Sequence, residues 1–468
     1  MSKSFEKAGI LYLIATLFNK GIAFLTVPIF TRILSTADYG IVTTYNSWVS
    51  IATIVLSLTL YMAIRNSFVD YPKNTADFLN TIITFTCVFG IAVLLITLIV
   101  LQIIPVAYGF VAVLCILQGF ADALIMDYTH YLMMDYRYIN RTIYMVFPNL
   151  ISVGCSIFAI LYLFDTDLYL GRIIPTSCVY LLFAIAIIFQ VYHKRRPRIN
   201  KEYLKYSMAI SLPLIFHGAA LTILGQSDRT MITILADASQ TGIYSVVYNF
   251  GMIATVITTA MEGIWVPWFI SQMKLDNKDS TNAINSRAVD YVKLMTYSMI
   301  AILLCGPEIL KVMSSSKYWD GISIIPPVVV SGFIIFLYGL YVNVEHFYKK
   351  TVGITINTII AAVSNIILNL IFIPEFGYVA AAYTTLASYL ICLVLHIFRA
   401  KKLNKDLLPV KSFIIPLAVL IGVYVIYYFV LDFAIIRWVA LIIFALIIAY
   451  VEREKIAPLL MRLKKKGA

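Results

Sequence analysis

Charge is what this 468-residue chain has least of. Asp, Glu, Lys and Arg make up 13% of it and hydrophobic residues 61%, where an ordinary soluble domain carries about 25% charged residues. A soluble monomer so composed would expose far more apolar surface than such proteins tolerate. That excludes a soluble enzyme and a disordered chain. Cysteine is also scarce. Cys87, Cys115, Cys155, Cys178, Cys305 and Cys392 all fall in apolar runs without C-x-x-C spacing, so they read as small core residues and exclude a secreted disulfide scaffold. No hydrophilic stretch is long enough to fold alone, the longest being 193–203 and 273–287. There is no G-x-x-x-x-G-K-[ST], hence no fused ATPase. The first apolar stretch is too long for a signal-peptide core and reads as a retained spanning helix.

What the chain has in abundance is apolar runs of spanning length. Windowing predicts about 14 of them. They cover 9–34, 39–63, 78–102, 105–130, 142–164, 168–192, 204–235, 240–264, 288–309, 322–346, 352–373, 376–398, 411–431 and 434–451. They are too long and too regular for barrel strands. The expected class is an all-α polytopic membrane protein.

Net charge is +12, and the placement of the cations matters more than the sum. Most Lys and Arg fall in loops that lie on one side if the N-terminus is inside. They cluster at Lys194, Arg195, Arg196 and Arg198, at Arg399, Lys401, Lys402 and Lys405, and at Arg462, Lys464, Lys465 and Lys466. This bias predicts both termini in the cytoplasm. Each cluster sits at the foot of an apolar span, where it neutralises anionic lipid rather than binding nucleic acid.

The segment 193–203 reads as a linker between two halves of six helices. An internal repeat supports it: TRILSTADYGIVTTYN (31–46) and ITILADASQTGIYSVVYN (232–249) both show a helix end, a polar turn, Gly-Ile and a Tyr-Asn pair. Repeats of this kind build many secondary transporters. The expected division is 1–200, 201–400, and a 401–468 appendage of two helices with a basic tail.

Ionisable groups inside hydrocarbon cost at least about 2.5–3.5 kcal/mol and survive by pairing or by lining a wet cavity. Lys20, beside Asn19 in the first span, reads as a cavity cation or as half of a structural pair. Asp228 and Arg229 adjoin on one helix, about 100° apart, so they do not pair well with each other and one of them is expected to face a cavity. Arg65 and Arg32 lie at opposite ends of their spans. Each reads as a phosphate partner through its planar fork or as an interfacial anchor. Asp122 and His217 lie deeper and are candidates for carrying a proton or sodium, with a hydrogen-bonded core residue as the alternative for His217. Asp127, Glu262 and Glu345 are further candidates, close enough to inner helix ends that solvation is expected. Tyr45, Tyr61, Tyr244, Tyr248, Tyr338 and Tyr341 share these spans, where aromatic faces suit sugar rings and also suit an ordinary core.

Several stretches resemble bacterial polysaccharide exporters: FTRILSTADYGIV (30–42), LTLYMAIRNSFVDY (58–71), SDRTMITILADASQTGIYS (227–245) and AMEGIWVPWFISQM (260–273). The longest is 349–389, where Asn365, Asn369, Pro374, Gly377 and the Ala-Ala-Ala-Tyr-Thr-Thr run match an N-x-x-x-N…P-x-x-G-x-x-[GA]-A-A-x-x-T signature. The resemblance is to polysaccharide and O-antigen flippases of the multidrug/oligosaccharidyl-lipid/polysaccharide exporter superfamily. It implies a MATE-like fold of two six-helix lobes around a central cationic cavity, plus two C-terminal helices. It also implies flipping of a polyprenyl-diphosphate-linked oligosaccharide to the outer leaflet of the bacterial cytoplasmic membrane, for capsule, O-antigen or wall glycan. Membrane lipids, a polymerase and glycosyltransferases are the expected partners. Lys20 and Arg32 match basic positions of the related lipid II flippases. Thr26 and Val27 stand where those flippases carry an Arg-Asp pair, which points away from lipid II as cargo. Such a protein is not an enzyme and needs no cofactor. Its drive is a proton, a sodium ion or the membrane potential. A multidrug or metabolite cation antiporter of the same fold is the alternative, expected to show an acidic, aromatic cavity. A membrane polymerase or glycosyltransferase is disfavoured by the short outer loops.

Overall fold

The computed structural model describes residues 21–22, 24–104 and 108–453, without the side chains at 194, 213, 217, 250 and 252. Among them every regular element is helical. The helices are α1 (Phe24–Ile33), α2 (Thr36–Ser57), α3 (Tyr61–Asp70), α4 (Thr75–Ile103), α5 (Gly109–Met134), α6 (Tyr138–Tyr162) and α7 (Leu168–Lys194). They continue with α8 (Lys201–Leu235), α9 (Ala238–Met273), α10 (Lys278–Met313), a 3₁₀ turn (Ser316–Ile324), α11 (Ile325–Phe347), α12 (Thr351–Leu403), α13 (Lys411–Val430) and α14 (Ala434–Val451).

Among the described residues eleven candidate spans are long and apolar enough to cross a membrane, twelve if the two arms of α8 count as one. α8 bends by 42° between its arms, at the Pro213 position where the backbone lacks a donor. The count of fourteen is not established by these helices. The first expected span falls largely outside the described residues, and 352–373 and 376–398 lie within the single element α12. That 53-residue element is two helices joined at Gly377, whose φ of 58° breaks the helical path. Large apolar side chains exposed along α4, α12, α13 and α14 form the surface that meets lipid. The cysteines divide: Cys115 and Cys392 are buried, but Cys155 and Cys178 are exposed, so the core reading fails for that pair. In a bilayer, an outward apolar face accepts a small thiol as readily as the core does.

The expected division at 200 falls in the extended stretch between α7 and α8. The first turns of α8 nonetheless still pack on α3 and α4, with Tyr203 5.1 Å from Tyr71 and 5.3 Å from Phe78 between ring centroids.

The internal repeat has a structural meaning. Ser35 caps α2, accepting from the Asp38 amide at 3.0 Å; Asp237 caps α9, accepting from the Gln240 amide at 2.9 Å. From Ser35 to Gly40 and from Asp237 to Gly242 the spacing is the same. The two helices cross at these glycines. A Cβ on Gly40 would overlap the Ala238 carbonyl, and one on Gly242 would overlap the Thr36 carbonyl. Close approach lets short polar side chains zip the crossing: Thr36 to Ser239 at 2.5 Å and Ser245 donating to Thr43 at 3.0 Å, while Thr44 reaches Thr233 of α8 at 2.7 Å. This crossing lies at the end of the bundle expected to face outward.

α14 is held differently. Its one buried residue is Arg437, which is 1% exposed, donates to the Val430 carbonyl at 3.1 Å and to the Leu431 carbonyl, and pairs with Glu308 of α10. Removing one partner of a buried ion pair costs roughly 3–5 kcal/mol, because the other charge is stranded. Arg437→Ala should therefore lower thermal stability in detergent by that order. Adding Glu308→Ala should recover most of the loss; equal melting temperatures for Arg437→Ala and wild type would contradict the role.

Candidate functional site

A cavity of about 230 Å³ lies between α1, α2, α6 and α7 on one side and α8 and α9 on the other. Two arginines line it. Arg229 donates to Gln226 Oε1 at 2.9 Å and to the Gly225 carbonyl at 3.2 Å, and lies 4.9 Å over the Tyr248 ring. Arg172 donates to Ser156 Oγ at 3.1 Å and to the Ser152 carbonyl at 3.5 Å, and lies 4.3 Å over the Phe30 ring. Among the described residues neither forms an ion pair and no carboxylate lines the cavity. Neutral hydrogen-bonding groups complete it: Asn46, Asn149, Asn249, Gln226, Thr43 and Ser245. Asn46 and Asn249 are the asparagines of the two Tyr-Asn pairs, so the repeat delivers one amide from each half. Aromatic faces and neutral dipoles hold both guanidinium groups while leaving their charge uncancelled. Such an arrangement has the polarity that suits an anion.

Asp228 faces the other way. It is 1% exposed, and its carboxylate accepts from Asn369 Nδ2 at 2.7 Å and from the Tyr244 and Thr385 hydroxyls at 2.6 Å each. Asn365 and Thr384 extend the network: Asn369 donates to Asn365 Oδ1 at 3.3 Å, and Thr384 donates to Asn369. The Asn, Asn and Thr of the exporter-like signature thus form the shell of one buried carboxylate on α8. No cation pairs with Asp228 among the described residues. It is thus a lone buried carboxylate held by three neutral donors. Among the described residues no group of three or more His, Cys, Asp or Glu is placed for a metal ion.

The other expected residues scatter. Lys20 and Asn19 lie outside the described residues, as does the His217 side chain. Arg32 is exposed and bridges the Pro28 carbonyl at 2.7 Å and the Val312 carbonyl at 3.0 Å, so it staples α1 to α10 outside the cavity. Arg65 is exposed on α3, outside the cavity lining, and meets the Met62 sulfur at 3.8 Å. Asp122 is half-buried in α5 and outside the cavity lining. Glu262 is exposed on α9, outside the cavity lining. Asp127 and Glu345 are not solvated: both are fully buried. Asp127 accepts from Thr86 at 3.5 Å. Glu345 meets His396 Nδ1 at 2.5 Å and Arg399 Nε at 3.3 Å. Nearness to a helix end along the chain says nothing about which neighbour covers it, and here α12 does. Of the six tyrosines, only Tyr248 supports a cavity arginine directly; Tyr45, Tyr244 and Tyr341 are bonded into the core. Arg172 escapes a reading of the sequence because it sits just inside an outer helix end, where arginine usually anchors the interface. Its signal is the facing serines at 152 and 156, whose oxygens accept from its guanidinium.

A family profile described as "Polysaccharide biosynthesis protein" matches residues 6–273, more than half of the chain. The chain belongs to that family. A curated relative, Lsg locus putative protein 1 of Haemophilus influenzae, is 25% identical over 278 residues, which is 57% of this chain; the match spans 66% of the relative's length. A solved lipid II flippase MurJ in an inward closed conformation superposes with a TM-score of 0.71 at 17% identity, over 96% of this chain and all of that one. An inward-facing multidrug resistance MATE transporter of the MOP superfamily gives 0.61 at 11% identity, over 82% and 96%. The fold is thus the MOP-superfamily transporter fold. The chain is thus a multi-pass membrane protein of a polysaccharide-biosynthesis family.

Proposed function

We propose that this protein flips a polyprenyl-diphosphate-linked oligosaccharide from the inner to the outer leaflet of the bacterial cytoplasmic membrane. Surface polysaccharide is then assembled there with a polymerase and glycosyltransferases. The observation that carries the reading is the carboxylate-free cavity with Arg172 and Arg229 uncancelled. A cation antiporter needs the opposite polarity there. Stripping a diphosphate and its sugars of water costs several kcal/mol per unsatisfied polar group, and more per charge. Two guanidinium forks replace the water around phosphate oxygens, and the amides replace it around sugar hydroxyls. The lipid tail stays in the bilayer, and no covalent bond changes.

The cavity is smaller than the roughly 300–1,000 Å³ of ordinary ligand sites. It takes the diphosphate end only, so the sugars require the α2–α9 crossing to part. That crossing seals the outer end, which corresponds to an inward-facing or occluded state with both termini cytoplasmic. Rocking about the repeat halves gives alternating access. With the interior negative, the membrane potential assists outward movement of an anionic headgroup by about 2.3 kcal/mol per charge per 100 mV.

Asp228 is the proposed coupling group. Binding of a proton or sodium there competes with its Tyr244, Asn369 and Thr385 hydrogen bonds, and Arg229 on the next position feels the change. In proteoliposomes, a proton or sodium gradient should accelerate flipping by wild type and not by Asp228→Asn. Insensitivity of wild type to both gradients would remove the coupling role and leave the potential as the drive. The test of the function itself is transfer of a fluorescent polyprenyl-diphosphate glycan between leaflets: protected from externally added glycosidase before transport, cleaved after it.

A further inference from the structure

A second cavity, of about 430 Å³, lies at the opposite end of the bundle, where the linker between α7 and α8 crosses the start of α4. Buried Asn80 pins the linker backbone. Its amide donates to the Arg195 and Arg196 carbonyls at 3.4 and 3.3 Å, and its oxygen accepts from the Arg198 amide at 3.1 Å. Buried Thr81 accepts from the Asn200 amide at 3.3 Å. Arg195 is neutralised by Asp77. The Arg196 and Arg198 side chains line the cavity, exposed, with no hydrogen bond or ion pair among the described residues. Asn74 adds an amide at the rim, and its side chain caps nothing. Two free guanidinium groups therefore project from a backbone held in place by buried side chains, into a concave, polar space. Preorganisation of this kind is what distinguishes a site from a diffuse basic surface.

We propose that this cavity binds the phosphate of an anionic phospholipid headgroup, and so ties the linker that joins the two halves to α4. Guanidinium forks match phosphate oxygens bidentately. The site lies level with the end of α7 and the start of α4, where both helices leave the membrane, so a headgroup reaches it without its chains leaving the bilayer. A single phosphodiester leaves one positive charge over, consistent with attraction to the negative surface of a cytoplasmic leaflet. The assignment rests on the proposed orientation, with both termini cytoplasmic, but its test does not need transport.

The experiment is titration of the purified, detergent-solubilised full chain with short-chain phosphatidylglycerol, read by native mass spectrometry and thermal shift. Phosphatidylcholine, inorganic phosphate and undecaprenyl diphosphate serve as comparison ligands. Wild type should bind one equivalent of phosphatidylglycerol saturably and no phosphatidylcholine. Arg196→Gln with Arg198→Gln should weaken binding about 10–30-fold. Lys465→Gln with Lys466→Gln, which removes the same charge from the tail, should change it less than twofold. Asn80→Ala should also weaken binding, although every guanidinium is retained. Equal loss in the arginine and lysine variants would reduce the site to diffuse charge and overturn the proposal. Inorganic phosphate competing at the concentration of the lipid would assign a soluble ligand instead. Undecaprenyl diphosphate displacing the lipid at lower concentration would make the cavity a cargo site. Unchanged melting of the variants in neutral detergent separates lost binding from lost folding.

Discussion

Replacing Arg172 and Arg229 together by Ala should abolish export. Hydrogen bonds to charged groups contribute roughly 1.5–3 kcal/mol each, so losing both arginines predicts a fall in flipping rate of about 100-fold or more. Each single variant should fall by about tenfold or more on the same scale. The two should not be fully additive, because both serve one ligand. Arg172→Lys and Arg229→Lys should rescue only in part, since an ammonium keeps the charge but not the bidentate fork. Arg32→Ala is the control of opposite expectation. Its guanidinium spans two carbonyls at the outer end of α1 rather than the cavity, so export should stay within about threefold, as for an exposed contact. Wild-type surface polysaccharide in the double arginine variant would remove the cavity from the mechanism.

The second large effect concerns the crossing of α2 and α9. Gly40→Val places methyl groups where the Ala238 carbonyl now sits, and Gly242→Val does the same to the Thr36 carbonyl. Overpacking of that kind costs about 1–3 kcal/mol. The cost falls on the sealed state alone, because the two helices must separate when the outer end opens. In a cysteine-free background, Ser245→Cys reports on the seal: it lines the cavity beside the Thr43 contact. A membrane-impermeant thiol reagent added outside should label it roughly 5–150-fold faster when Gly40→Val is also present, the shift that 1–3 kcal/mol gives. Transport should slow at the same time, because the return to the sealed state is penalised. Unchanged labelling would mean that the crossing is not the outer gate.

Much of this was legible in the sequence because hydrocarbon leaves few options. Apolar runs of spanning length have to be helices, so the class followed from composition. The repeat was visible as Gly-Ile and Tyr-Asn at matching places, and its reason is now concrete: the glycines let two helices touch, and the asparagines furnish the cavity. Asp228 and Arg229 were separable on helical geometry alone, since neighbours about 100° apart must look at different surroundings. Which one faces the cavity needed the structure. What stayed hidden depends on partners far along the chain. His396 and Arg399 bury Glu345 from the far end of α12, and no local pattern in 340–350 announces them. Arg172 was hidden for a related reason. Its depth depends on α6 and α1 leaning over it, and one-dimensional hydropathy records position along the chain but not lateral cover. The turn within α12 was legible: the boundary expected between 373 and 376 falls beside Gly377, whose positive φ breaks the helix into two.

The central claim is that a positively charged, carboxylate-free interior selects a diphosphate. The direct measurement is the affinity of the purified protein for a polyprenyl diphosphate set against the matching polyprenyl alcohol, in wild type and in the Arg172→Ala, Arg229→Ala double variant. Wild type should prefer the diphosphate by about 100-fold or more, given two charge-assisted contacts, and the double variant should bind the two lipids alike. Equal binding of both by wild type, or a preference that survives loss of both arginines, would contradict that claim.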